Sequence, residues 1–247
     1  MNSLPYTLPV RAPNPSWKHH LIYWVIRLGL SALCRVHAEG LERVPRRGPL
    51  IVIANHTGSL EVPLLFAWLQ PRPLTGWAKI ETWDHPLLGW LFDLWGAVPI
   101  RRGETDTAAM RAALERLKQG YLFGLAPEGT RNKTGRLLRA RAGAATLALL
   151  SGAPVLPIAH WGGEQFRSNL KRLRRTDVFL RVGRPFVVQA PQERWARTER
   201  QQIADEMMYQ LAALLPEAYR GAYADLSQAT THYLRLVNLP NYAESNR

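Results

Sequence analysis

The sequence predicts an α/β fold: a mostly parallel central sheet flanked by helices, with an amphipathic helix region at the N-terminus. Three observations carry that prediction. Short apolar runs rich in β-branched residues recur along the chain, "PLIVIAN" (49–55) being the clearest, and such runs suit strands buried on both faces. Other segments have helical spacing; in 104–120, Ala109, Met110, Ala113, Leu114 and Leu117 form one apolar stripe before the stop signal Gly120. The two kinds of segment alternate, as in βα units joined into a parallel sheet. With 247 residues, 47% of them hydrophobic, the chain can bury a sizeable core.

The elements follow in order. Residues 1–16, with Pro5, Pro9, Pro13 and Pro15, read as an extended arm. Trp17 to Val36 is the amphipathic stretch, most apolar in "LIYWVIRLGLSAL", Leu21 to Leu33. "CRVHAEGLERVP" (34–45) is a short strand and turn, followed by the buried strand at 49–55. "EVPLLFAWLQ" (61–70) is a helix stopped by Pro71 and Pro73. "PLTGWAKI" (73–80) and "GAVPI" (96–100) are short strands on either side of the helical "HPLLGWLFDLW" (85–95). After the 104–120 helix, "YLFGLAP" (121–127) is another buried strand. "RAGAATLALLSGAP" (141–154) is a helix with a Gly–Pro exit into the strand "PVLPIAHW" (154–161). "DVFLRVGRPFVV" (177–188) is a strand or hairpin, and 192–216 a long helix. The expected division is an arm and interfacial helix over 1–35, an α/β domain over 36–215 and a helical tail over 216–247.

Lys and Arg total 32 against 19 Asp and Glu, a formal charge of +13. That surface suits anionic partners: phosphate-bearing substrates, anionic lipid or nucleic acid. Cys34 is the sole cysteine, so no intrachain disulfide forms, which fits a reducing compartment. As a helix, Leu21 to Leu33 extends roughly 20 Å, against roughly 30 Å for a bilayer core. Arg27 interrupts it, and Lys18, His19, His20 and Arg35 flank it. A secretory signal would place its apolar region nearer the start and add a small-residue cleavage site. Trp17, Tyr23 and Trp24 are amphipathic aromatics, so the segment reads as an interfacial helix on an anionic membrane surface. A buried amphipathic helix is the competing reading. "FRSNLKRLRR" (166–175) adds five basic residues. They suit anionic headgroups, an acidic carrier protein or CoA phosphates, or form a solvated basic face.

Two stretches carry candidate chemistry. "ANHTGSLEVP" (54–63) puts His56 five positions before Glu61. On a regular helix residues five apart point about 140° away from each other. Pro63 is tolerable only in a first turn, so the helix should start near Leu60–Val62 and His56 should lie in the preceding turn. There the imidazole can fold back on Glu61, which would fix its tautomer and leave the other nitrogen free to take a proton. Alone, the stretch reads sooner as the polar start of a surface helix, with His56 in a surface loop. "LAPEGTRN" (125–132) again ends a strand in a polar loop, with Glu128, Gly129, Thr130 and Arg131. Arg131 suits a phosphate, or a Glu128–Arg131 ion pair.

Together these stretches resemble the glycerolipid acyltransferase superfamily, particularly the 1-acylglycerol-3-phosphate acyltransferases. The first family motif, Asn-His-x4-Asp, is Asn55-His56-TGSL-Glu61 here, with Glu in place of the usual Asp. The second is offered by "GAVPIRR", with Gly96 and Arg102; Lys79 stands at the family's usual lysine. The third, Pro-Glu-Gly-Thr-Arg, is complete at 127–131, and the fourth, an apolar strand with a central proline, matches "APVLPIAHW" at Pro157. The similarity spans roughly residues 36–190. Some bacterial lipid-A and mannolipid acyltransferases also use His-x4-Glu, but do not generally carry the Glu-Gly-Thr-Arg loop.

The resemblance implies transfer of a fatty acyl group from an acyl-CoA or acyl carrier protein thioester to a lysophospholipid hydroxyl. His56 would be the base and Glu61 its orienting partner. Arg131, Arg102, Lys79, Glu128, Gly129 and Thr130 would bind substrate, with no metal or cofactor required. It implies a peripheral or monotopic protein on the cytoplasmic face of a membrane. Rival classes fare worse. There is no G-x-S-x-G and no H-E-x-x-H, and the seven histidines are scattered. A nucleic-acid binder would explain the charge but not the four motifs. A lipid-binding relative without catalysis is the non-enzyme alternative.

Overall fold

The computed structural model describes residues 17–58, 60–101, 106–132, 134–190 and 195–239. The arm at 1–16 and Arg102 therefore lie outside the described residues. The first element is helix α1, Trp17–Leu33, followed by β1, Cys34–Glu39. Then come β2 Leu50–Ala54, α2 Glu61–Trp68, β3 Leu74–Lys79, α3 Pro86–Leu94, β4 Val98–Ile100, α4 Thr107–Lys118 and β5 Leu122–Leu125. The chain continues through α5 Gly143–Ser151, β6 Val155–Trp161, α6 Phe166–Lys171, β7 Thr176–Val182, β8 Phe186–Val188, α7 Arg197–Ala212 and β9 Leu234–Leu236.

The sheet runs β1-β7-β6-β2-β5-β3-β4. From β6 to β4 its strands are parallel, with β2 between β5 and β6. β2 is buried at all five positions, and its side chains alternate between two cores. Ile51 and Ile53 face α4, α5 and α7, while Leu50, Val52 and Ala54 face α1 and α2. This is the strand period of two expressed against two apolar layers, and it explains the unbroken apolar run.

The structure decides between the alternatives at 177–188 and changes the reading of the tail. The 177–188 segment is not a hairpin: β7 and β8 both pair antiparallel with β6. They form one strand path broken between Val182 and Phe186, and Gly183 bridges the break by donating to Pro157 O at 2.8 Å. A side chain there would press on Pro157 and Leu214. The first strand begins at Cys34, which is buried, as the reading of 34–45 expects. The tail beyond 216 is not α-helical. It makes single 3-10 turns at Glu217–Tyr219, Gly221–Tyr223 and Leu226–Gln228, then β9, antiparallel to β8. Its backbone bonds outward: Leu137 N–H donates to Tyr219 O at 2.9 Å and Ala222 N–H to Leu137 O at 3.0 Å. Those exchanges replace the i to i−4 bonds a helix would need.

Candidate active site

β2 delivers Asn55 and His56 to the carboxyl edge of the sheet, the edge at which open α/β folds bind ligands. Helix α2 begins at Glu61, so Pro63 falls in its first turn, where no backbone donor is needed. The turn between them brings the pair together: His56 Nδ1 meets Glu61 Oε1, with the two side chains only 13% and 6% exposed. Glu61 Oε2 accepts from Gly58 N–H at 2.9 Å, closing the turn on itself. Since Nδ1 is committed to the carboxylate, His56 Nε2 is the nitrogen without a hydrogen-bond partner among the described residues. Burial pushes the Glu61 carboxyl up, but the His56 hydrogen bond, the neighbouring histidines and the Gly58 N–H together hold it below the ordinary glutamate value. It is an anion able to stabilise an imidazolium.

His160 and Asn55 brace this turn from behind. Asn55 Nδ2 donates to His160 O at 2.7 Å, His160 N–H donates to Asn55 Oδ1 at 2.9 Å, and His160 Nε2 bonds the Asn55 carbonyl at 2.7 Å. Burial lowers the His160 pKa and favours its neutral form. His160 was not singled out in the sequence; its signal was its place at the end of a strand beside the one that ends in Asn55.

The Pro-Glu-Gly-Thr loop holds the histidine by its backbone. Glu128 is 2% exposed. Its Oε1 accepts from His56 N–H at 2.8 Å and its Oε2 from Leu138 N–H at 2.9 Å. Asn132 N–H donates to His56 O at 2.8 Å. Glu128 therefore positions the His56 turn and makes no ion pair with Arg131 among the described residues. Burial raises its carboxyl pKa against the two N–H bonds that lower it.

A cavity of about 390 Å³ opens beside the pair. Leu65 and Phe66 of α2, Leu74 and Trp77 of β3, Phe92 of α3, and Trp95 form apolar parts of its lining, to which His56 and Glu61 also belong. Phe66 and Phe92 pack on Trp95 at ring separations of 4.8 and 5.4 Å. Gly76 and Gly124 keep two strands close there: a Cβ on Gly76 would lie 2.1 Å from Gly124 O.

Of the residues expected to bind substrate, Gly129 lines this cavity. Thr130, Arg131 and Lys79 are exposed and are not part of its lining. Arg101 and Arg141 line it instead. Arg141 was missed because it stands ten positions beyond Arg131, in a stretch read only as a helix start. The loop returns it: Arg141 N–H donates to Pro127 O at 2.8 Å. Gly129, with φ of 69°, leaves room for its stem, since a Cβ there would sit 2.8 Å from Arg141 Cδ. Among the described residues, no three His, Cys, Asp or Glu side chains gather so as to hold a metal ion.

The sequence model of the family described as Acyltransferase matches residues 35–161, just over half of the chain. The chain belongs to the acyltransferase family. Within the family it is 31% identical over 164 residues to a 1-acyl-sn-glycerol-3-phosphate acyltransferase of Pseudomonas aeruginosa, covering 65% of this chain and 62% of that one. It is 30% identical over 149 residues to a chloroplastic 1-acyl-sn-glycerol-3-phosphate acyltransferase of Brassica napus, covering 58% and 42% respectively. The chain thus spans two fifths to three fifths of the length of these two relatives. The crystal structure of the 1-acyl-sn-glycerophosphate acyltransferase PlsC from Thermotoga maritima is similar at a TM-score of 0.55, with 25% identity, covering 76% of this chain and 77% of that one. The acyltransferase match begins just after β1 starts and ends with β6, so it contains both His56 and Glu128.

Proposed function

We propose that this protein transfers a fatty acyl group from an acyl-CoA or acyl carrier protein thioester to the free hydroxyl of 1-acylglycerol-3-phosphate. The observation that carries the reading is the buried His56–Glu61 pair on the wall of an apolar cavity that also includes two arginines. His56 Nε2 takes the hydroxyl proton as that oxygen attacks the thioester carbonyl. The tetrahedral intermediate collapses with cleavage of the C–S bond, and the imidazolium returns the proton to the departing thiolate. Glu61 keeps Nδ1 protonated and offsets the transient positive charge. No covalent enzyme intermediate is involved, and the cavity holds an acyl chain away from water. General-base help of this kind contributes about 10²–10⁴ in rate; holding two amphipathic substrates together supplies much of the rest.

Arg141 and Arg101 are the phosphate contacts best supported by position, since both line the cavity, whereas Arg131 and Lys79 are exposed outside its lining. Arg141→Ala should raise KM for 1-acylglycerol-3-phosphate far more than for monoacylglycerol. Equal losses on both acceptors would make the arginine structural. The central test is His56→Ala with purified protein, both donors and a panel of lysolipids. The variant should fold as wild type and lose at least about 10²-fold in turnover. Near-normal turnover would sink the mechanism, and wild-type protein inactive on every pair would favour a lipid binder without catalysis.

The same reading places the protein on one leaflet of a membrane. On α1, Trp17, Leu21, Trp24, Val25 and Leu28 are exposed, as are Leu87, Leu88 and Trp90 on α3. The helices meet where His19 Nε2 bonds Leu94 O at 2.5 Å. The underside of α1 is held by Arg27, stacked 3.6 Å from the Trp68 ring centre. No described helix is long and apolar enough to cross a membrane. Lying in the interface satisfies an exposed apolar stripe on a short helix.

A further inference from the structure

Neither the cavity nor α1 accounts for the turn that follows α6. Leu173 is 94% exposed, and among the described residues it is the non-glycine residue with positive φ, at 53°. The turn is well defined: Arg174 N–H donates to Asn169 O at 2.9 Å and Leu173 N–H to Leu170 O at 3.1 Å. Those two bonds are a Schellman closure, and they put Leu173 at the position glycine usually takes. A left-handed backbone crowds the β-carbon of any L-residue. Here leucine accepts that strain and buries almost nothing within the chain. Strain held by a side chain this exposed points to a contact outside the chain.

The surroundings say what that contact is. Leu170 is 43% exposed. Arg167, Lys171, Arg172 and Arg174 are exposed, and no ion pair engages them among the described residues. The next residue ties the turn to α1: Arg175 donates to Ser31 O at 2.6 Å and Cys34 O at 2.7 Å. The turn is therefore continuous with the end of the helix whose exposed apolar stripe is read above as interfacial. It also leaves β6 at the edge where Asn55 and His56 emerge, since Ala54 and Ile158 are parallel partners.

We propose that the 167–174 turn is a second membrane-contact element, in which Leu173 and Leu170 enter the headgroup–acyl boundary of an anionic bilayer and the four basic side chains hold lipid phosphates. An acidic carrier protein would satisfy the charges, but the two exposed leucines and the continuity with α1 favour a lipid surface. The inference rests on the membrane reading of α1, and the test separates the two.

The full chain is sedimented with vesicles of pure phosphatidylcholine or of phosphatidylcholine containing phosphatidylglycerol. Leu173→Gly should keep or raise the thermal unfolding midpoint, because glycine relieves the strain, and lower partitioning onto anionic vesicles about three- to tenfold. Arg172→Ala with Arg174→Ala should lower it about 10–30-fold, with a smaller change on phosphatidylcholine. Trp24→Asp is the α1 control. If Leu173→Gly binds like wild type while Trp24→Asp does not, this proposal falls and the α1 reading stands. A full chain that binds neither vesicle overturns both. If the arginine variant binds vesicles normally but uses acyl carrier protein thioester poorly and acyl-CoA normally, the surface serves a carrier and the assignment is overturned.

Discussion

In the proposed mechanism, what matters at His56 and Glu61 is which atom holds the proton. The folded carboxyl is held below its ordinary value near 4.5. Its contribution to stability is therefore fully present above about pH 4.5 and is lost as pH falls through the lower folded value. Thermal unfolding of wild type and Glu61→Gln should converge at the acid end and separate above that range. A gap independent of pH would show that ionisation of Glu61 contributes nothing. Glu128 acts differently, through backbone donors. Glu128→Ala would orphan the N–H groups of His56 and Leu138, each costing about 1–3 kcal/mol. It should lower kcat by loosening the His56 turn, with KM for either substrate changing little; a loss confined to KM would return Glu128 to substrate binding.

Elements matter here through how closely they approach. β3 and β5 meet at two glycines, and that contact shapes one wall of the cavity. The position a methyl group would take on Gly76 is already occupied by the Gly124 carbonyl. Gly76→Ala should thus destabilise by about 1–3 kcal/mol or more in chemical denaturation and reduce acyl transfer with it. Unchanged stability would mean that β3 can shift aside. The α4 stripe behaves as its spacing predicts: Ala109, Ala113 and Leu117 are buried in one core. The 177–188 segment was ambiguous because a Gly and a Pro between apolar runs suit a hairpin and an interrupted strand equally. Pairing with β6 decides between them.

For the molecule as a whole, the tail closes the sheet through one buried acid. Glu206 of α7 is 1% exposed. It accepts from Thr230 Oγ1 at 2.7 Å, His232 N–H at 3.0 Å and Tyr233 N–H at 3.0 Å, just before β9 pairs with β8. Glu206→Ala leaves those donors without an acceptor, so limited proteolysis should cut within 224–239 much faster while the rest of the chain stays resistant. An unchanged digestion pattern would show that β9 holds the tail alone.

The sequence by itself determined the alternation of elements, the buried strands, the turn that carries His56 and the family to which the chain belongs. Each of these is written in local order: apolar period, proline placement and short motifs set by neighbouring residues. Tertiary structure decided which groups surround the histidine. Glu128 reaches a backbone N–H 72 positions away, His160 braces Asn55 across 105, and the cavity takes Arg141 and Arg101 but not Arg131. Such contacts follow from strand order and loop return, which no local period encodes. The strain at Leu173 was hidden for the same reason: a leucine in a basic run looks ordinary until the helix before it ends in a left-handed turn.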